Sequence, residues 1–215
     1  MLKLWGRLSS INVRKVVWAL DETGTPYERI DAGMAFGIVG TPAYQAMNPN
    51  ALVPTLQDGD FTLWESNAMV RYVLARYGAP ALGHPRNGRS HLYPQNLRER
   101  FDAERWMDWQ QTTLNPASGK AFVQWIRTPA AQRDHAAIAT SVAATEPLLA
   151  QLDTHLANHA FMVGDHFSMA DIPVACEVHR WWGLPQPRPA WPNIERWYDT
   201  VRARPAAQVL QIELS

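Results

Sequence analysis

Between residues 79 and 94 the chain collects Pro80, Gly83, Pro85, Gly88 and Pro94 with little hydrophobic periodicity, and the patterns on its two sides differ. Before this stretch, short apolar runs alternate with helical segments. After it, no segment reads as a strand. A chain of 215 residues can bury two small cores. The break therefore divides it into a first domain over 1–80, a linker over 81–94 and an all-helical domain over 95–215.

In the first domain, "LKLWG" (2–6) reads as a short buried strand ended by Gly6. "INVRKVVWALDETG" then spaces Val13, Val16, Val17 and Leu20 as one helix face and stops at Gly24, a residue type suited to a left-handed C-cap. "PYERID" (26–31) supplies a second strand, and a strand–helix–strand unit of this length makes its two strands parallel. Pro42 suits the first turn of a short helix through Met47. "VPTLQD" and "FTLWE", split by Asp58, Gly59 and Asp60, read as a hairpin, and "ESNAMVRYVLARYG" (65–78) as a closing helix. Pro54 is the odd residue of this set. It has no amide hydrogen for a ladder and restricts Val53 before it, so it belongs at the start of a strand and marks a special backbone.

The second domain reads as helices broken by Pro and Gly: "LRERFDAERWMDWQQTTL", "AAQRDHAAIATSVAATEPLLAQLDTHLANH", "MADIPVACEVHRWW" and "NIERWYDTVRAR". Pro147 is expected to break or kink its helix near Thr145, whereas Pro173 falls in a first turn, where proline is tolerated. "SMAD" (168–171) resembles a capping box with Ser168 as N-cap and Asp171 answering it.

Composition removes several function classes. Lys plus Arg and Asp plus Glu both number 20, so no net field concentrates nucleic acid or an anionic membrane. The one cysteine, Cys176, precludes an intrachain disulfide and fits a reducing, cytoplasmic setting. There is no run of the roughly 18 apolar residues a membrane span requires. Glycine-rich phosphate cradles and a Cys-x-x-Cys centre are absent. His155 and His159 lie four apart but lack the zincin glutamate, so no metal site is assigned.

Three segments of the first domain carry candidate chemistry. "SSINVRK" sets Ser9, Ser10 and Asn12 at a strand-to-helix junction, where unpaired amides and the helix dipole favour an anion. Helix capping is the plain alternative for either serine. Glu65 and Ser66 hold a second junction of that kind, with the same alternative. The third is "NPNALVPTL" (48–56), where a strand-starting proline leaves the main chain of Val53 outside the ladder, able to pair with a peptide.

Taken in order and spacing, "S-x-N-V-x-K-V-x-W-A-L" (Ser10 to Leu20), "NPN-x-x-VPTL" (Asn48 to Leu56), "WESNA" (Trp64 to Ala68) and "FMVGDHFSMADI" (Phe161 to Ile172) resemble the glutathione transferase superfamily, in its bacterial, theta- or nu-like form, over nearly the whole chain. The resemblance implies an α/β thioredoxin-like N-terminal domain, an all-α helical-bundle C-terminal domain and a cis peptide before Pro54. It implies glutathione as co-substrate with no permanently bound cofactor, a small hydrophobic electrophile as second substrate, and a homodimer. Ser10 and Asn12 would hold the glutathione thiolate, with Ser9 as a neighbouring candidate. The Val53 main chain would meet the cysteinyl unit, with Leu52 and Pro54 beside it in the glutathione site, and Glu65 and Ser66 would meet the γ-glutamyl end. Trp106 and Trp109, three apart on one stripe, would line the electrophile pocket or fill the core. One departure stands out: family members often carry Lys or Arg just before the Val-Pro to meet the glycine carboxylate, and this chain has Leu52. Glutathione-dependent disulfide or peroxide reduction, and non-catalytic glutathione binding, use the same residues and stay open at this level.

Overall fold

The computed structural model describes residues 1–78 and 91–213. They form two compact units, one of Met1–Tyr93 with Pro205–Glu213 and one of Pro94–Arg204. Most of the expected linker, residues 81–90, lies outside the described residues. The division falls at that segment's end. The expected helical domain over 95–215 is shorter than the pattern implied, because the 3-10 segment Pro205–Gln211 clusters with the first unit. Ala207, Val209 and Leu210 of this segment are buried, and the Arg14 side chain donates to the Glu213 carbonyl at 2.7 Å.

The first unit has the expected order: β1 (Leu2–Trp5), α1 (Ile11–Thr23), β2 (Tyr27–Ile30), α2 (Pro42–Met47), β3 (Thr55–Asp58), β4 (Phe61–Trp64) and α3 (Ser66–Tyr77). β1 and β2 run parallel; β3 and β4 form an antiparallel hairpin, and β3 pairs antiparallel with β1. The sheet order is β2-β1-β3-β4, a thioredoxin-like mixed sheet. α1 buries Val13, Val16, Val17 and Leu20 at the predicted spacing and packs beside α3. Each such side chain contributes about 1.5–3 kcal/mol by leaving water. Gly6 is required where β1 turns into α1, since a Cβ there would collide with the Val13 side chain. α1 ends as expected at Gly24, in the left-handed region with φ 66°.

No strand occurs among the described residues of the second unit. Its first element is a helical run comprising α4 (Leu97–Trp109), a π-helical turn at Gln110–Leu114, α5 (Asn115–Phe122) and a second π turn at Val123–Arg127. The sequence pattern missed α5, because "NPASG" looks like a breaker. Pro116 follows just after the π-helical turn, where the regular ladder is already interrupted, so its missing amide is accommodated without ending the run. α6 (His135–Leu156), α7 (Asp171–Trp182) and α8 (Pro192–Arg202) follow. The expected break near Thr145 does not occur: α6 is continuous through Pro147. Pro147 and Ala143, whose carbonyl loses its partner, are both exposed, so water satisfies the freed oxygen.

The capping-box reading holds in part: α7 begins at Asp171 with Ala170 as its N-cap, not Ser168, yet Ser168 and Asp171 pair in the turn before the helix. Ser168 N–H donates to Asp171 Oδ2 at 2.8 Å, while the Ser168 hydroxyl accepts from Ala170 N–H. The other oxygen, Oδ1, accepts from Met162 N–H at 2.9 Å and from Trp197 Nε1 at 2.8 Å. Asp171 therefore joins the start of α7 to α8 and to the preceding loop. Its complete burial pushes its pKa up to about 6 despite these donors. Asp171→Ala is expected to destabilise the protein by about 3 kcal/mol, because buried donors lose their acceptor, against about 1 kcal/mol for Ser168→Ala. Urea titration checks both. A raised folded-state pKa means that folding binds a proton between about pH 4 and 6. The stability of wild type relative to Asp171→Asn should thus be greatest below pH 4, fall as pH rises to about 6, and stay level above.

Candidate functional site

The ladder places three loops together. Trp5 pairs with Thr55 and Thr55 with Trp64, so the last residue of β1, the first of β3 and the last of β4 form one row. The chain continues past that row into Arg7–Asn12, precedes it as Leu52–Pro54, and leaves it as Glu65–Ser66. Eight of the ten residues singled out from sequence, Ser9, Ser10, Asn12, Leu52, Val53, Pro54, Glu65 and Ser66, therefore share one edge of one unit. The helices that follow β1 and β4 begin there.

At the first junction Ser10 is the N-cap residue of α1, with extended backbone at φ −83° and ψ 121°, yet its side chain makes no cap hydrogen bond. The residue is largely buried, and its hydroxyl is not spent on the helix. Asn12 lies two residues on. Its Oδ1 accepts from the Ser66 hydroxyl at 3.3 Å, a contact across 54 positions of sequence. The two helix N-termini are neighbours, each with unpaired backbone amides and a positive dipole end. With its oxygen held by Ser66, the Asn12 amide turns its Nδ2 donors elsewhere. The loop before α1 is fixed from behind by buried Arg14, whose Nε donates to the Leu8 carbonyl at 2.7 Å.

The Val53–Pro54 peptide is cis, as the resemblance implied, and Val53 lies outside the β3 ladder. The segment before it is held by a chain of buried donors. Asn48 Nδ2 donates to the Leu52 carbonyl at 2.9 Å and to Thr55 Oγ1 at 3.1 Å. The Tyr44 hydroxyl donates to the same carbonyl at 2.7 Å and meets Thr55 Oγ1 at 2.7 Å. Burial raises the Tyr44 pKa, which keeps its phenol a donor at neutral pH. Tyr44 escaped the sequence reading; its signal is one aromatic in the short helix α2. The Leu52 side chain points to solvent, 65% exposed, and offers no charge.

At the second junction Glu65 has φ 71° and ψ 110°, a conformation uncommon for a residue with a Cβ and costing on the order of 1 kcal/mol or more. It is exposed, and its side chain makes no cap hydrogen bond. Trp106 and Trp109 belong to the other unit. They meet edge to face with centroids 5.1 Å apart, and Trp106 is buried against His155 at 4.5 Å, while Trp109 is half-buried. His155 and His159 stack at 4.3 Å, and no cluster suited to a metal ion occurs among the described residues.

Comparison with known proteins gives concordant matches. Family models described as glutathione S-transferase, N-terminal domain, and glutathione S-transferase, C-terminal domain, match residues 1–75 and 111–205. Glutathione S-transferase GstB of Escherichia coli (strain K12) is 40% identical over 218 residues, covering 100% of both chains. Glutathione S-transferase theta-1 of Homo sapiens is 31% identical over 183 residues, 82% of this chain and 72% of that protein. The theta class glutathione S-transferase from the citrus canker pathogen Xanthomonas axonopodis pv. citri, with glutathione bound, matches with a TM-score of 0.91 at 44% identity, over 100% of this chain and 99% of that one.

The Asn48 network carries a prediction about the loop. Asn48→Ala removes two buried donors at once and should cost about 2–3 kcal/mol, whereas Tyr44→Phe should cost about 1 kcal/mol. Urea midpoints measure both. The Val53 main chain should also exchange its amide hydrogen faster in Asn48→Ala than in wild type.

Proposed function

This chain belongs to the glutathione S-transferase family and is a glutathione transferase, and from that premise we propose how its residues perform the reaction. A free thiol with a pKa of about 8.5 is mostly protonated at neutral pH, while the thiolate is the nucleophile. Asn12 donates from Nδ2 to the glutathione sulfur and Ser10 from its hydroxyl, with Ser9 beside them. The α1 N-terminus adds its positive end. The observation that carries this reading is the Ser66-to-Asn12 hydrogen bond at 3.3 Å. It sets the asparagine amide with its oxygen held and its nitrogen left to donate, next to a serine hydroxyl not used as a cap.

Glutathione itself is held by strand-like pairing. The Val53 main chain, outside any ladder, takes the cysteinyl unit, with Leu52 and Pro54 shaping the backbone on either side. The γ-glutamyl carboxylate falls at Ser66 and the α3 N-terminus, and its ammonium at the Glu65 carboxylate, so each end meets matched charge. The thiolate sulfur then forms a bond to an electrophilic carbon of a small apolar compound, whose leaving group departs with its electron pair. The aromatic pair Trp106 and Trp109 is assigned to that compound. The same reading takes the protein to act as a homodimer in the cytoplasm; its one cysteine, Cys176, is buried and forms no disulfide, which suits a reducing compartment.

Absorbance of bound thiolate near neutral pH tests the assignment. Asn12→Ala should raise the pKa of the bound thiol by about one unit, leaving roughly tenfold less thiolate, while the affinity for glutathione changes little. Asn12→Ala combined with Ser10→Ala should abolish conjugation. Full conjugation activity in the double variant would overturn the roles given to both residues.

A further inference from the structure

The sheet order lays out the binding edge as a sequence of stations. From β4 to β3 to β1 to β2, these are Glu65 with Ser66, then Val53, then Arg7, then Gly33. Adjacent strands are about 4.8 Å apart, so β4 to β1 spans about 10 Å, close to the length of three extended residues. A peptide with its γ-glutamyl end at Glu65 and Ser66 and its cysteinyl main chain on Val53 therefore carries its third residue toward Arg7 and Gly33.

Arg7 is charged and without a partner there. Its Nε is buried with no hydrogen bond, and no side-chain hydrogen bond or ion pair holds its guanidinium among the described residues. Asp31, at the end of neighbouring β2, is already paired with Arg29. Burial pulls the Arg7 pKa down with no opposing charge to restore it. Its backbone is fixed by a hydrogen bond from Arg7 N–H to the Ala32 carbonyl at 3.2 Å. A Cβ on Gly33 would lie 2.8 Å from Arg7 Nη1 and 3.3 Å from Val53 Cγ1, so the guanidinium and the Val53 side chain both border the space that a side chain at residue 33 would fill. A partly buried cation without a counter-charge is costly until an anion meets it.

We propose that Arg7 binds the glycyl carboxylate of glutathione, in place of the base that Leu52 does not provide. Arginine suits this task, since its planar fork takes a carboxylate through two parallel hydrogen bonds. The proposal rests on the glutathione reading above and adds a contact at the far end of the same molecule. The position is readable only from the fold: Arg7 lies 45 residues before Leu52, and the register of β1 with β3 brings the two loops to one edge.

Calorimetry with glutathione and with its glycyl monoethyl ester, on wild type, Arg7→Gln and Arg7→Lys, tests it. Wild type should bind the acid about 10- to 100-fold more tightly than the ester, the range expected for a charge-assisted hydrogen bond. Arg7→Gln should bind both with the same weak affinity, and Arg7→Lys should recover part of the preference. Bound thiolate absorbance per molecule should be unchanged in Arg7→Gln. Equal affinity of wild type for acid and ester overturns the proposal, as does a preference for the acid undiminished in either folded variant. Failure of wild type to bind either compound would instead overturn the glutathione reading itself.

Discussion

The register of β3 between its neighbours is the constraint on which the site depends. With Trp5, Thr55 and Trp64 in one row, the ends of two strands and the start of a third face the same edge. A slip by one residue would turn Leu56 out of the core and carry Val53 away from Asn12 and Ser66. The ladder is held by burial of Leu4 and Leu56, which lie opposite each other and are almost fully buried. Core packing of ordinary apolar side chains thus sets the positions of polar groups several residues away.

Polar side chains then fix what the ladder leaves loose. Asn48, Tyr44 and Thr55 are buried and bonded to one another and to the Leu52 carbonyl; Arg14 is buried and holds Leu8. Such groups stabilise little on balance but are costly to leave unpaired, so they specify one conformation of each loop. The second unit uses the same device. Asp171 gathers Met162, Ser168 and Trp197, and the buried Glu177–Arg180 pair gathers Gln110 and Ser118. Glu65 is the exception, an exposed residue held in a disfavoured conformation where β4 gives way to α3.

Elements defined by neighbours in sequence were legible. The period of Val13, Val16, Val17 and Leu20, the stop at Gly24, the hairpin around Gly59 and the pairing of Ser168 with Asp171 all rest on local geometry. Local chemistry was a poorer guide to function and to breaks. Ser10 sits at the N-cap but does not cap, and Pro147 lies in a helix without ending it. In both cases surroundings decided: a hydroxyl at the binding edge in the first, an exposed helix face open to water in the second.

The sequence by itself determined the order of elements, the all-helical character of the second unit and the residue types gathered at the junctions, because turn chemistry and hydrophobic period act over a few residues. It also carried four family motifs in order, and with them the identity of the co-substrate. Only the tertiary structure decided that Asn12 meets Ser66, that Tyr44 and Asn48 share the Leu52 carbonyl, that Arg7 and Val53 border the same space at Gly33, and that residues 205–213 pack back onto α1. These contacts join positions far apart in the chain. Strand register and helix packing create them, and no local pattern encodes the register.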